Sequence, residues 1–338
     1  MKSLKKLSIF LILIFLAGLG IFTIYFSLSK NFGQPRSQPS PILEKFSEKF
    51  ASQYFIENMR KREYDGGEVK IERNLGNFGK FTSYIVSYPL DGIKIFALMN
   101  VPASIKPDNG FPVVIVNHGY INPETYSTTS SYKTISDFYA NQGFLVLKPD
   151  YRGHGNSQGS GGGGLSRIEY AVDVLNLIAS IPTISQADPE KIFMYGHSMG
   201  AEVALRVLEI TDKIKAATLW APATTQFPES LLYFVRRHRP QSLPEIEAAI
   251  NAYFSQADFP KLSTIENTNL IKTPLTIHHG TADSSVPFQW SVELGKKLTE
   301  TNTTHTFYTY QGEDHNFTRG SWGTAANRDL ELFKKILE

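Results

Sequence analysis

The stretch Ile192-Phe193-Met194-Tyr195-Gly196-His197-Ser198-Met199-Gly200-Ala201-Glu202-Val203-Ala204-Leu205 decides how this chain folds. A short apolar run, Ile192–Tyr195, ends abruptly at a G-x-S-x-G segment. The pattern behind it, Met199–Ile210, has helical spacing. A serine between such elements sits on a sharp strand-to-helix turn that exposes its hydroxyl, and the flanking glycines let backbone pass close by. The N–H groups opening the helix can face a developing oxyanion. Ser198 is the expected nucleophile.

Working outward, the same alternation of apolar run and helical pattern recurs. Val113–Val116 is a continuous apolar run, as in a strand buried on both faces. A helix is expected at 132–141, a strand at Phe144–Leu147, a helix at Arg167–Ile181 and a strand at Ala216–Trp220. Further strands are expected at Pro274–His278 and Thr304–Tyr310, with helices at Gln289–Thr299 and Ala325–Leu337. This alternation implies a mostly parallel sheet with helices on both faces. Ahead of it, Val69–Asn74, Phe81–Tyr88 and Ile93–Val101 read as antiparallel strands, with Asp91-Gly92 as a hairpin turn. Glu44–Arg62 has the spacing of one helix. Residues 221–271 break the alternation and read as a helical lid over the strand ends, where such sheets bind ligands. Within it, Arg236-Arg237-His238-Arg239 is either a solvated helix face or a substrate clamp.

The rest of a serine-hydrolase site should follow in the order acid, then base. Asp283 comes just after the strand ending at His278, and His315 just after the one ending at Tyr310. Both loops fall at the edge that holds Ser198. His315 would take the proton of Ser198, and Asp283 would orient the imidazole. Two backbone donors are expected for the oxyanion: the N–H of Met199, and that of Tyr120 after Asn117-His118-Gly119, with Ile121 as the alternative. Asp150 ends a strand before Ser198 in the chain and reads as a turn residue. His278 and His279 could be weighed as metal ligands, but neighbours on a strand face opposite ways; neither a metal nor a cofactor is expected.

The ends and the composition restrict the setting. Residues 7–28 carry no charge and follow a basic tail, 1–6, with Lys2, Lys5 and Lys6. As a helix they would reach about 33 Å, enough to cross a hydrocarbon core of about 30 Å. They read as a transmembrane signal anchor with the N-terminus cytoplasmic, and residues 29–43 as a linker. That puts the body, 44–338, outside the cytoplasm; a cleaved signal peptide is the alternative. With 34 Lys and Arg against 32 Asp and Glu, there is no basic excess to favour nucleic acid. With 0 cysteines, disulfides, thiolate metal sites and a cysteine nucleophile are excluded.

These motifs together resemble the α/β-hydrolase superfamily and, more narrowly, the catalytic domain of the prolyl oligopeptidase family of serine peptidases, including acylaminoacyl-peptidase-like members. The resemblance runs from Phe81 to Glu338. It is carried by Asn117-His118-Gly119, Asp150–Ser157, Asp188–Ile192, Tyr195–Gly200, His279–Asp283 with Val286-Pro287, and Asp314-His315-Asn316-Phe317. It implies a three-layer α/β sandwich that cleaves a small or short-peptide substrate through an acyl-enzyme on Ser198. Two departures stand out. Nothing here is long enough to be the β-propeller that often restricts access in that family, and Gly200 is followed by Ala201-Glu202 where a further glycine is usual. A peptide or amide bond is the favoured target, a carboxylic ester the alternative, and a non-catalytic binding protein the rival from another class.

Overall fold

In a computed structural model, residues 52–161 and 166–338 are described. The basic tail 1–6, the apolar run 7–28 and the linker 29–43 lie outside the described residues. No helix among the described residues is long and apolar enough to cross a membrane.

Among the described residues nine strands form one sheet: β1 Lys70–Asn77, β2 Phe81–Leu90, β3 Ile93–Pro102, β4 Phe111–Asn117, β5 Leu145–Pro149, β6 Ala187–His197, β7 Ile214–Trp220, β8 Leu275–Gly280 and β9 His305–Tyr310. Their spatial order is β1-β2-β3-β5-β4-β6-β7-β8-β9. The pairs β1/β2, β2/β3 and β3/β5 are antiparallel, and every later pair is parallel. The β2–β3 hairpin turns at Asp91-Gly92, both at positive φ (46° and 82°), as a type I′ turn requires.

Both faces of the parallel strands are buried. Val114, Val116, Phe193 and Tyr195 face a core shared with α2 (Lys133–Asn141) and the last helix, α9 (Trp322–Leu337). The alternate residues Val113, Ile115, Ile192 and Met194 are equally buried on the opposite side, where α3 (Ser166–Ser180) and α4 (Met199–Ile210) pack. Period-two alternation with both sets apolar produces the continuous runs seen in the sequence. The antiparallel β1 lies at the sheet edge and is mostly exposed. It starts and ends later than the apolar pattern alone suggests.

The helix expected over Glu44–Arg62 is not continuous where it is described. A 3₁₀ turn, Ser52–Tyr54, is followed by a separate helix α1, Ile56–Lys61. Phe55 between them is extended (φ −63°, ψ 133°), and its ring packs beside Phe254 of the lid at 6.4 Å. A tertiary contact here overrides local periodicity. The lid itself is helical, with α5 Glu229–His238, α6 Leu243–Tyr253 and the short α7 Phe259–Leu262. The helix between β8 and β9 is α8, Phe288–Glu300. Because β4 to β9 run in parallel, the loops leaving β4, β6, β7, β8 and β9 all emerge at one edge.

Candidate active site

Ser198 stands at the turn between β6 and α4 with φ 56° and ψ −120°. Positive φ is strained for any residue with a Cβ, and strain of this kind persists only where surroundings impose it. The surroundings are tight. A Cβ on Gly200 would lie 2.1 Å from the Asn117 carbonyl oxygen, and one on Gly196 2.6 Å from that of Gly200. The Ser198 N–H donates to the Trp220 carbonyl at 2.8 Å, and its own carbonyl accepts from the N–H groups of Ala201 (3.0 Å) and Ala223 (3.1 Å). The elbow is therefore held by β4 on one side and the end of β7 on the other.

The loops after β8 and β9 bring the expected acid and base together. His315 Nδ1 donates to Asp283 Oδ2 at 2.7 Å. The same oxygen accepts from His279 Nε2 at 3.0 Å, while Oδ1 accepts from the N–H groups of Ser285 (2.7 Å) and Val286 (2.9 Å). Burial alone would raise the Asp283 pKa. The hydrogen bonds from His279 and His315, with the charge His315 can carry, outweigh burial and hold the carboxyl well below the usual carboxylate range. His279 is itself fixed, since the Ser291 hydroxyl donates to its Nδ1 at 2.6 Å. The two loops interlock closely: a Cβ on Gly280 would lie 2.3 Å from the Glu313 carbonyl oxygen.

A second chain holds His315 from behind. His197 Nε2 donates to the His315 carbonyl at 2.9 Å, and the Tyr132 hydroxyl donates to His197 Nδ1. The two imidazole rings lie 4.7 Å apart. Burial, reinforced by His315, pushes the His197 pKa down to about 3, so this imidazole is neutral.

Ser198 and His315 line one cavity of about 480 Å³, together with Met199 and Tyr120. No hydrogen bond joins Ser198 Oγ to His315. Such nucleophile–base contacts are commonly long or misaligned before a substrate closes them. Tyr120 follows Gly119 on the loop leaving β4, and that loop is tied down at Asp150. Tyr126 donates to Asp150 Oδ1 at 2.7 Å, Thr128 to Oδ2, and the buried Lys148 ammonium lies 3.6 Å away. Burial, partly offset by Asp150, pushes the Lys148 pKa down to about 8. Asp150 thus holds the loop leaving β4 in place through its carboxylate.

The lid forms the far wall. Arg167 of α3 donates to Glu202 Oε2 at 2.9 Å and to the Ser230 carbonyl at 3.0 Å, with its guanidinium 4.9 Å from the Phe234 ring centre. Arg236 pairs with Glu229 and Arg237 donates to the Tyr233 hydroxyl at 3.1 Å. His238 and Arg239 line the cavity.

Sequence reasoning assigned no role at the site to His197, His279, Tyr132 or Arg167. His279 had a signal, its position four residues before Asp283 on the same strand-to-loop segment. It faces Asp283, whereas His278 faces the other way, with Nδ1 2.7 Å from the Tyr310 hydroxyl. Glu313 and Asp314, flanking His315, cap their own loop by accepting from Ser321 and Asn316 N–H groups.

Residues 110–259 match the family described as "Serine aminopeptidase, S33". A zebrafish (Danio rerio) protein, lysophosphatidylserine lipase ABHD12, is 28% identical over 235 residues, covering 62% of this chain and 56% of that protein. The chain spans about half the length of the curated relatives it matches. Among solved structures, the acetyl xylan esterase of Paenibacillus sp. R4 superposes with TM-score 0.61 at 15% identity, covering 89% of this chain and 96% of that one. Dipeptidyl peptidase 4 of Porphyromonas gingivalis superposes with TM-score 0.58 at 18% identity, covering 76% of this chain and 36% of that one.

The chain has an α/β-hydrolase fold. It resembles the catalytic domains of the prolyl oligopeptidase family, and its described residues contain one sheet and no propeller blade.

Proposed function

We propose that this chain is a serine hydrolase working through an acyl-enzyme on Ser198. One observation carries the proposal: the 2.7 Å hydrogen bond from His315 Nδ1 to Asp283, with His315 facing the cavity that Ser198 also lines. With Nδ1 committed to Asp283, Nε2 is left to accept the serine proton. Ser198 Oγ then attacks the acyl carbonyl, and the oxyanion rests on the N–H groups of Met199 and Tyr120. His315 returns the proton to the leaving group, and water attacks the acyl-enzyme by the reverse route.

The family resemblance favours a peptide or amide bond. A carboxylic ester is the second reading, and the cavity supports it. Leu231, Phe234 and Val235 give it an apolar wall, and no carboxylate among its described lining residues could receive the ammonium end of a peptide. The zebrafish relative is also named as a lipase. The rival, a binding protein on the same fold, gives no reason for a strained serine beside a base with a committed acid.

The test uses the full chain in non-ionic detergent, with a 4-nitrophenyl ester and a panel of peptidyl anilides. Ser198→Ala should lower turnover by about 10⁴-fold or more and abolish labelling by a fluorophosphonate. Anilide turnover supports the peptidase reading, and ester turnover alone moves the protein to the esterases. Labelling that persists in the variant would refute the role of Ser198. The proposal also keeps the body outside the cytoplasm, anchored by residues 7–28, because that run is uncharged and preceded by lysines. Protease added to intact cells should digest the body; protection would overturn that orientation.

A further inference from the structure

We infer that His238 and Arg239 form an anion subsite at the mouth of the cavity, and that the preferred substrate is an amphiphile carrying a phosphate or carboxylate near its scissile acyl bond. The inference rests on the serine-hydrolase reading and names the substrate class of that same site.

The four arginines around the lid differ in what meets them and in whether they line the cavity. Arg167 is neutralised by Glu202, and Arg236 by Glu229. Arg237 donates to the neutral Tyr233 hydroxyl and is not among the residues that line the cavity. The Arg239 guanidinium has no hydrogen-bond or ion-pair partner among the described residues, and it lines the cavity that holds Ser198. No Asp or Glu is among the described residues lining that cavity, so nothing there cancels its charge.

The arrangement along α5 gives the ligand its shape. Leu231, Phe234, Val235 and His238 recur at the i, i+3, i+4, i+7 spacing of one helix face, and all line the cavity. Arg239 continues the face at the C-cap. The wall is apolar for its first two turns and cationic at its end. From residue 231 to 239 the axial rise is about 12 Å. A substrate lying along it would set an apolar segment against Leu231, Phe234 and Val235 and an anionic group against the last turn. A neutral ester would leave Arg239 to water, and a free ammonium would be repelled.

Two matched pairs locate the anion. A monoacylglycerol against its 3-phosphate places the charge on the leaving group. 4-Nitrophenyl hexanoate against mono-4-nitrophenyl adipate places it on the acyl chain. All are assayed with the full chain in non-ionic detergent, and the readout is the ratio of kcat/KM, charged over neutral. In one pair the charged member should be preferred by about fivefold, and the preference should shrink at high ionic strength. Arg239→Gln should bring that ratio close to one, whereas Arg236→Gln, which alters only the matched pair outside the cavity, should leave it unchanged. A neutral preference in both pairs, or a ratio that survives Arg239→Gln, overturns the subsite. Neutral-ester turnover that Ser198→Ala abolishes keeps the hydrolase reading standing in that case. No turnover and no fluorophosphonate labelling overturns both.

Discussion

The two walls of the cavity are built differently. On the sheet side, the loops leaving β8 and β9 are locked by hydrogen bonds with few alternatives. The Asp283 carboxylate alone accepts from two imidazoles and two backbone N–H groups. On the lid side, α5 is held by the Arg167 hydrogen bond to the Ser230 carbonyl and by apolar contacts of Tyr233 and Phe234, with His238 and Arg239 exposed at its end. Fixed dipoles are what transition-state stabilisation needs, because they cost no reorganisation during reaction. A wall of side chains on an inserted helix selects what enters and can vary without disturbing the chemistry. Changes on the sheet side should therefore lower turnover of every substrate, and changes at the lid should alter the ranking of substrates.

The largest effect on the sheet side after Ser198 should come from Asp283→Asn. The new side chain is nearly isosteric, and its oxygen can still accept from Ser285 and Val286. Its amide nitrogen then faces two imidazole N–H groups, those of His315 and His279, where donors meet donors. His315 is driven to the tautomer protonated on Nε2, which cannot accept the serine proton. Turnover should fall by about 10³- to 10⁴-fold for neutral and anionic esters alike. A loss smaller than about tenfold would show that Asp283 does not orient the base. A loss confined to one substrate would blur the distinction between the two walls.

How much of this could be read beforehand follows the same division. The apolar runs at Val113–Val116 and Ile192–Tyr195 and the Asp91-Gly92 turn are local patterns, and each lies where it was expected; the loops that carry Ser198, Asp283 and His315 emerge at one edge of the sheet. What was not legible depends on contacts between distant residues. Phe55 interrupts a helical pattern because Phe254 is there to receive it. Arg167 and Glu202 are 35 positions apart, and nothing in either segment marks the other. The four basic residues at 236–239 look alike in sequence, and only the rotation of α5 separates those facing outward from those at the cavity. His197 looked like part of the elbow motif, whereas its imidazole reaches across to the His315 carbonyl.

His197 also gives the smallest of the expected effects, one on stability. Its folded pKa is lowered to about 3 by burial and by His315, against about 6.5 for an unperturbed histidine. Between those values the unfolded chain binds a proton that the folded chain excludes. Stability from this group is complete above about pH 6.5 and is lost as pH falls toward 3, at no more than about 1.4 kcal/mol per pH unit. His197→Gln removes the titration while retaining a donor for the His315 carbonyl. The variant should be less stable than the native chain at pH 7, and the gap in thermal midpoint should narrow by a few degrees on going to pH 4.5. Every other titrating group is common to both proteins, so the difference isolates this one. A gap independent of pH would mean that the imidazole is charged or solvated in the folded state. The sheet-side wall would then be looser behind His315 than its hydrogen bonds indicate.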